Sequence, residues 1–338
     1  MTTTHSHSQT RPADTAGHQA PITPGEIAVG VAIGRASEYF DFFVYAIASV
    51  LVFPALFFPF ETQLVGTLYS FAIFSLAFVA RPFGTIIFMR LQERFGREAK
   101  LTVALFALGT TTAGIAFLPT YGDIGFYAIV LLALFRLGQG VALGGSWDGL
   151  PSLLALNAPA NRKGWYAMIG QLGTPVGFIV AASLFAYMLS SVSEKDFFEW
   201  AWRYPFFAAF AINVVALFAR LRLVATDDYA QLLDERELQP SKVAKLMSHQ
   251  GRIVLIGALA TLASYALFHL VTVFPLSWLS LYSDRTIADI LVIEIVGAGF
   301  AIAGVVLSGV LADRIGRRTM LGCLAALIAV FSLFIPAL

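Results

Sequence analysis

Long apolar runs alternate with short polar clusters along the whole chain. A membrane-crossing helix needs roughly 20 mostly apolar residues, and runs of about that length lie at 27–53, 64–88, 101–118, 124–147, 165–189, 202–221, 253–275, 287–311 and 319–336. Prolines and polar clusters separate them: Pro54 and Pro59 after the first, Pro119 to Asp123 after the third, Asn157 to Gly164 after the fourth. Two connections are near copies, since Arg94 to Arg97 and Arg314 to Arg317 both read Arg-x-Gly-Arg after an apolar run. A charged tight turn repeated in this way predicts an all-α, polytopic membrane protein built from two related halves. The longest connection, Arg222 to Arg252, divides six spans from three. The expected organisation is a disordered tail over 1–26, a six-helix bundle over 27–222, a linker over 223–251 and an incomplete three-helix bundle over 252–338. Within the linker, Thr226 or Asp227 can cap a short helix that Pro240 ends, and Ser241 another toward His249.

Composition supports that pattern. Of 338 residues, 58% are hydrophobic and 13% charged, with a mean hydropathy of +0.77, too apolar for a domain wetted on all sides. Lipid is therefore the expected surroundings. The net charge of +1 hides a segregation by position and gives no reason to expect nucleic acid as a partner. Basic residues gather on alternate connections: Arg90, Arg94, Arg97 and Lys100; Arg162 and Lys163; Arg220 to Arg252; Arg314, Arg317 and Arg318. Cations favour the cytoplasmic side, which puts the N-terminus and the linker there; the expected location is an inner membrane of bacterial type. Trp200, Trp202, Trp278 and Tyr282 fall at outer helix ends, where interfacial aromatics are expected. The lone Cys323 rules out an intramolecular disulfide. His5, His7 and His18 read as solvated tail residues rather than metal ligands. No cofactor is expected.

Ionisable residues inside spans cost about 2.5–3.5 kcal/mol at the centre and so tend to face a bundle interior or a wet cavity. Arg35, Glu38 and Asp41 recur every three residues in the first span, with Tyr45 continuing that side, and Arg136 lies half-way along the fourth. A structural reading also stands: Glu38 pairing with Arg35, and Arg136 bonding backbone carbonyls. Gln171, Tyr265, His269 and Glu294 are further polar residues within spans. The glycines at 138, 140, 144 and 145, and at 170, 173 and 177, suit close helix packing. No zinc spacing, nucleophile elbow or paired loop acids argue for an enzyme.

Taken together, GRASEYFDFFVYAIAS, ARPFG, RLGQGVALGG, NAPANRKGWYAMIGQLGTPVG, WRYPFF and ADRIGRR, in this order, resemble the major facilitator superfamily. Within it the likeness is to metabolite:proton symporters that carry organic acids and zwitterions. The resemblance implies a fold of twelve helices, about nine of them present, with a small metabolite as partner and protons as the coupling ion. It also implies a monomer if the chain is complete and association if it is truncated; a non-transporting remnant and, from another class, a membrane-embedded sensor are the alternatives. Asp41 and Glu38 become the expected proton-coupling residues, and Arg136, Arg35, Tyr45, Gln171, Tyr265 and His269 the substrate contacts. In this scheme an anionic substrate takes over the Arg136 guanidinium, and Asp41, losing that support, takes up a proton. Glu93, Arg94, Gly96, Arg97 and Asp148, with Asp313, Arg314, Gly316, Arg317 and Arg318, become a cytoplasmic gate, or alternatively simple topology signals. The first turn departs from the family pattern: Met89, Gln92, Glu93 and Glu98 replace two glycines, the Asp and a basic residue.

Overall fold

The computed structural model describes residues 24–146, 149–224 and 243–334. Its helices, in chain order, are α1 (Pro24–Leu51), α2 (Phe53–Phe57), α3 (Gln63–Ala116), α4 (Tyr121–Ile124), α5 (Phe126–Gly145), α6 (Leu150–Asn157), α7 (Lys163–Ser191), α8 (Glu194–Glu199), α9 (Tyr204–Val224), α10 (Val243–Val271), α11 (Val273–Tyr282), α12 (Ile287–Ile315) and α13 (Arg317–Ser332). Every apolar run picked out above overlies one of them. Six helical stretches among the described residues are long and apolar enough to cross a membrane by themselves. One of these, α3, has 54 residues, more than twice what a span needs. It carries two spans. Gly96 breaks it at φ 87°, a conformation open to glycine, and the arms return side by side, since the Phe74 carbonyl and Thr112 both bond the polar pair on α5.

Glycine sets how closely the helices approach. A Cβ on Gly84 would fall 2.1 Å from the Val141 carbonyl oxygen, and one on Gly140 2.4 Å from that of Ala77, so α3 and α5 pack backbone to backbone. Gly173 and Gly177 similarly admit α1 against α7, at Arg35 and Phe40. α9 packs against α1 and α3 to complete the first bundle.

At one end an aromatic core fills the bundle, with Phe43, Phe53, Phe57, Phe185 and Phe206 all buried. Trp202 belongs to it. Expected at the membrane interface, it is 0% exposed and packs edge-on against Phe53, Phe57 and Phe206. It lies within a 3-10 turn, Ala201–Arg203, that precedes α9. Trp200, Trp278 and Tyr282 remain exposed.

The seventh apolar run differs from expectation. It breaks at Thr272 and continues to Tyr282, beyond the expected end at 275. Pro275 supplies the cause: its ring clashes with the carbonyl four residues back, at Val271, and it offers no N–H. A second interruption, at Gln250, sets residues 243–249 apart from the span, close to where the Ser241-initiated helix was expected to finish. α12 lies along α7, and α13 packs on α12 with no buried residue of its own. The expected tail up to residue 23, the Thr226–Leu238 helix and Asp148 lie outside the described residues.

Candidate functional site

Three groups of polar residues stand out within the bundle. The first surrounds Asp41. This carboxylate is 3% exposed and accepts hydrogen bonds at Oδ1 from the Thr112 hydroxyl at 2.7 Å and the Asn213 amide at 3.4 Å. Asn213 accepts in turn from Ser37, at 2.8 Å. Gln139 donates to Thr112 at 2.8 Å and accepts from Arg136 at 2.9 Å. Asp41 and Arg136 are thus linked through a Gln139–Thr112 relay rather than face to face. The Arg136 guanidinium is 2% exposed, donates to the Phe74 carbonyl, and lies 3.9 Å from the centre of the Tyr45 ring and 4.6 Å from that of Phe74. A charge so enclosed holds through cation–π contacts and hydrogen bonds. Tyr45 is a wall of this niche.

The second group centres on Glu38. It pairs with Arg35 at 3.0 Å and with Arg220 of α9 at 3.2 Å, and Arg220 also donates to the Ser146 carbonyl. Arg81 borders the same small cleft. The Arg35 pair was legible from its spacing of three. Arg220 was not, because its partner lies 182 positions away.

The third group lies at the end bearing the basic turns. Asp313 accepts from the backbone N–H groups of Gly164 at 2.6 Å and Trp165 at 2.9 Å, capping the first turn of α7. The approach depends on glycines: a Cβ on Gly164 would meet the Gly309 carbonyl at 2.6 Å, and one on Gly309 would meet the Met168 side chain at 2.6 Å. Gly316, at φ 86°, makes the turn that follows, and Arg314, Arg317 and Arg318 are exposed around it. In the first copy Gly96 makes the corresponding turn, Arg94 lies over the Phe95 ring, and Glu93 is exposed while Arg97 is half-buried. The two copies therefore share a turn but differ in what they hold.

Between the halves is a cavity of about 730 Å³, walled by Tyr39 of α1, by Gln171, Thr174 and Phe178 of α7, by Tyr265 and Phe268 of α10, and by Glu294 of α12. It includes Gln171 and Tyr265 from the expected substrate contacts. Arg136, Arg35 and Tyr45 are not among its described lining residues. His269 is also set back, ringed by Phe42, Phe74, Phe78 and Phe268 at centroid distances of 5.5–6.4 Å. Thr112, Gln139 and Asn213 escaped sequence reasoning, and Arg220, expected on a basic connection, is instead buried against Glu38. Each is a polar residue inside an apolar run, which is the signal that could have found them.

Similarity to known proteins agrees with this architecture. Residues 31–338 match the Major Facilitator Superfamily family model. The chain is 33% identical over 333 residues to the inner membrane metabolite transport protein YhjE of Escherichia coli (strain K12), covering 95% of this chain and 75% of that one. It is 30% identical to the shikimate transporter of the same organism, covering 88% of this chain and 70% of the relative. Among solved structures, the D-xylose-proton symporter superposes with a TM-score of 0.63 at 16% identity, over 86% of this chain and 69% of the other. With its paired helical halves, glycine-mediated helix packing and repeated Arg-x-Gly-Arg turns, the chain belongs to the Major Facilitator Superfamily, whose aligned relatives are membrane proteins that transport metabolites.

Proposed function

We propose that the protein is a proton-coupled symporter of a small organic anion or zwitterionic metabolite, working by alternating exposure of a site between its helical halves. The observation that carries this reading is Asp41, a carboxylate 3% exposed and held by neutral donors from two other helices. A buried acid without a cation in contact is suited to gaining and losing a proton within the working cycle.

Asp41 and Tyr39 lie two positions apart on α1, so they project to different sides of the helix. One side meets the Thr112–Asn213 niche and the other lines the cavity. Protonation of Asp41 changes the hydrogen bonds that seat α1, and substrate bears on the same helix from the cavity side. Coupling runs through α1 in this reading, rather than by competition for Arg136. Neutralising the acid also lowers the charge that the rearranging bundle carries across its apolar interior. Asp313 on the first turn of α7 serves as the gate contact, closed when the cap is made.

Uptake into proteoliposomes under an imposed pH gradient tests this, using a panel of radiolabelled organic acids and zwitterions. Asp41→Asn abolishes accumulation above equilibrium while substrate exchange persists, and Arg136→Ala abolishes both. Unchanged pH-driven accumulation in Asp41→Asn refutes the reading.

A further inference from the structure

The charge of the central cavity narrows what it can hold. Among its described lining residues Glu294 is the only carboxylate, and none is a Lys, Arg or His; the remainder are hydroxyls, one amide, aromatic rings and aliphatic groups. Both Glu294 carboxylate oxygens are buried and have no hydrogen-bond partner. Arg35 of α1, outside the cavity lining, is paired with Glu38 at 3.0 Å. A carboxylate shut away from water is costly until something pairs with it.

We infer that the cavity takes a substrate bearing a positively charged nitrogen, with Glu294 as its counter-ion and the rings of Tyr39, Tyr265 and Phe268 around it. This rests on the transport reading above and selects within it, favouring a zwitterion over a simple organic anion. An ammonium group in the cavity supplies the charge that Glu294 lacks. The ring faces attract it further, since desolvated cations bind aromatic quadrupoles. Tyr39 and Phe268 already stand edge to face at 6.3 Å, forming one corner of such a cage. The hydroxyl of Thr174 and the amide of Gln171 lie on the same walls and can donate to a carboxylate at the other end of a zwitterion. A lone anion finds no cation among the described lining residues to pair with.

The broken seventh span adds to this. α11 begins after Thr272, which itself lines the cavity, and its first turns bring the Leu276 backbone close to the Glu294 carboxylate. The positive end of a helix favours a negative charge there, so the carboxylate can carry its charge once a cation lies beside it. Discontinuous helices facing a central site are also a recurrent way of presenting backbone charge to substrate.

The test compares probes of matched shape that differ in charge. Purified full-length chain in lipid nanodiscs is titrated with trimethylglycine against 3,3-dimethylbutanoate, L-proline against cyclopentanecarboxylate, and choline against 3,3-dimethylbutan-1-ol. In at least one pair the nitrogen-bearing probe binds about tenfold or more tightly than its carbon analogue, and Glu294→Gln brings that ratio to about two or less. The inference is overturned if no nitrogen-bearing probe binds, if the pairs bind alike, or if the ratio survives in Glu294→Gln, which would make Glu294 only a cap for α11. The wild-type ratio needs no variant, so a poorly folding Glu294→Gln does not shield the idea. Its failure is also separable from that of symport: discrimination without pH-driven uptake removes proton coupling alone, whereas pH-driven uptake without discrimination removes this inference alone.

Discussion

Replacing Asp313 by Asn is the sharpest test of how the two halves are fastened. In the native chain one carboxylate oxygen accepts from Gly164 N–H at 2.6 Å and the other from Trp165 N–H at 2.9 Å. Asparagine keeps one acceptor oxygen and puts an NH2 group in the other position, where it faces an N–H. The substitution therefore removes one charge-assisted hydrogen bond, worth roughly 1.5–3 kcal/mol, together with a favourable charge at a helix N-terminus, about 0.3–1 kcal/mol. Part is recovered as the loosened groups hydrate, leaving about 2 kcal/mol, or roughly a 30-fold shift in the equilibrium between closed and parted halves. The Gly164–Gly309 approach is untouched, so the contact weakens without losing its shape. Spin labels at the exposed positions Ala160 and Arg318, in a Cys323→Ser background, report the separation by pulsed electron resonance in nanodiscs. Asp313→Asn moves population from the short-distance to the long-distance component. Identical distributions in the two proteins would refute the assignment of Asp313 as a fastening.

Three further outcomes follow from other parts of the structure. Gly84→Ala drives a Cβ into the Val141 carbonyl and destabilises the α3–α5 contact by about 2 kcal/mol or more, read as a lower thermal unfolding midpoint in a fixed detergent. Arg220→Met leaves the partly buried Glu38 with one ion pair, to Arg35, and frees the Ser146 carbonyl, costing about 3 kcal/mol; Glu38→Gln in the same chain restores part of that loss, which a double-mutant cycle measures. Asp123, in the turn between α3 and α5, is held below its ordinary value of 3.8, first by the Thr120 backbone N–H and then by the Thr120 hydroxyl. A lowered folded-state value means that its stabilisation is fully present above pH 3.8 and disappears as pH falls through the folded value. Asp123→Asn therefore lowers the unfolding midpoint at pH 7 but leaves it unchanged at the acid end of the titration.

The helices were legible because a bilayer demands about 20 apolar residues per crossing, a length that leaves little room for misreading. The Arg35–Glu38 pair was legible for the same reason of local spacing. Asp41 and Arg136 could be placed together because burying charge is costly enough to imply company, but their route of contact could not. It depends on Thr112 and Gln139, neutral residues whose importance comes from helices folded back across many positions. The break at Thr272 had a signal in Pro275, the last residue of the apolar run as bounded from the sequence. Trp202 shows the limit of composition: the same residue type serves an interface or a core, and what decides is its packing against Phe53, Phe57 and Phe206, contacts mostly between distant positions.

The seam between the halves is held differently at its two ends. Near the start of α12, Ile290 and Leu291 join Leu276 of α11 in the same dry core as Phe43 and Phe178. About 33 Å further along α12, at 1.5 Å per residue, Asp313 grips α7 through charge and amide dipoles. Dissolved ions screen the second kind of attraction and leave the first intact or strengthen it. Ionic strength thus becomes a one-sided control on this molecule, loosening the jaw that bears the arginines while its opposite stays clenched.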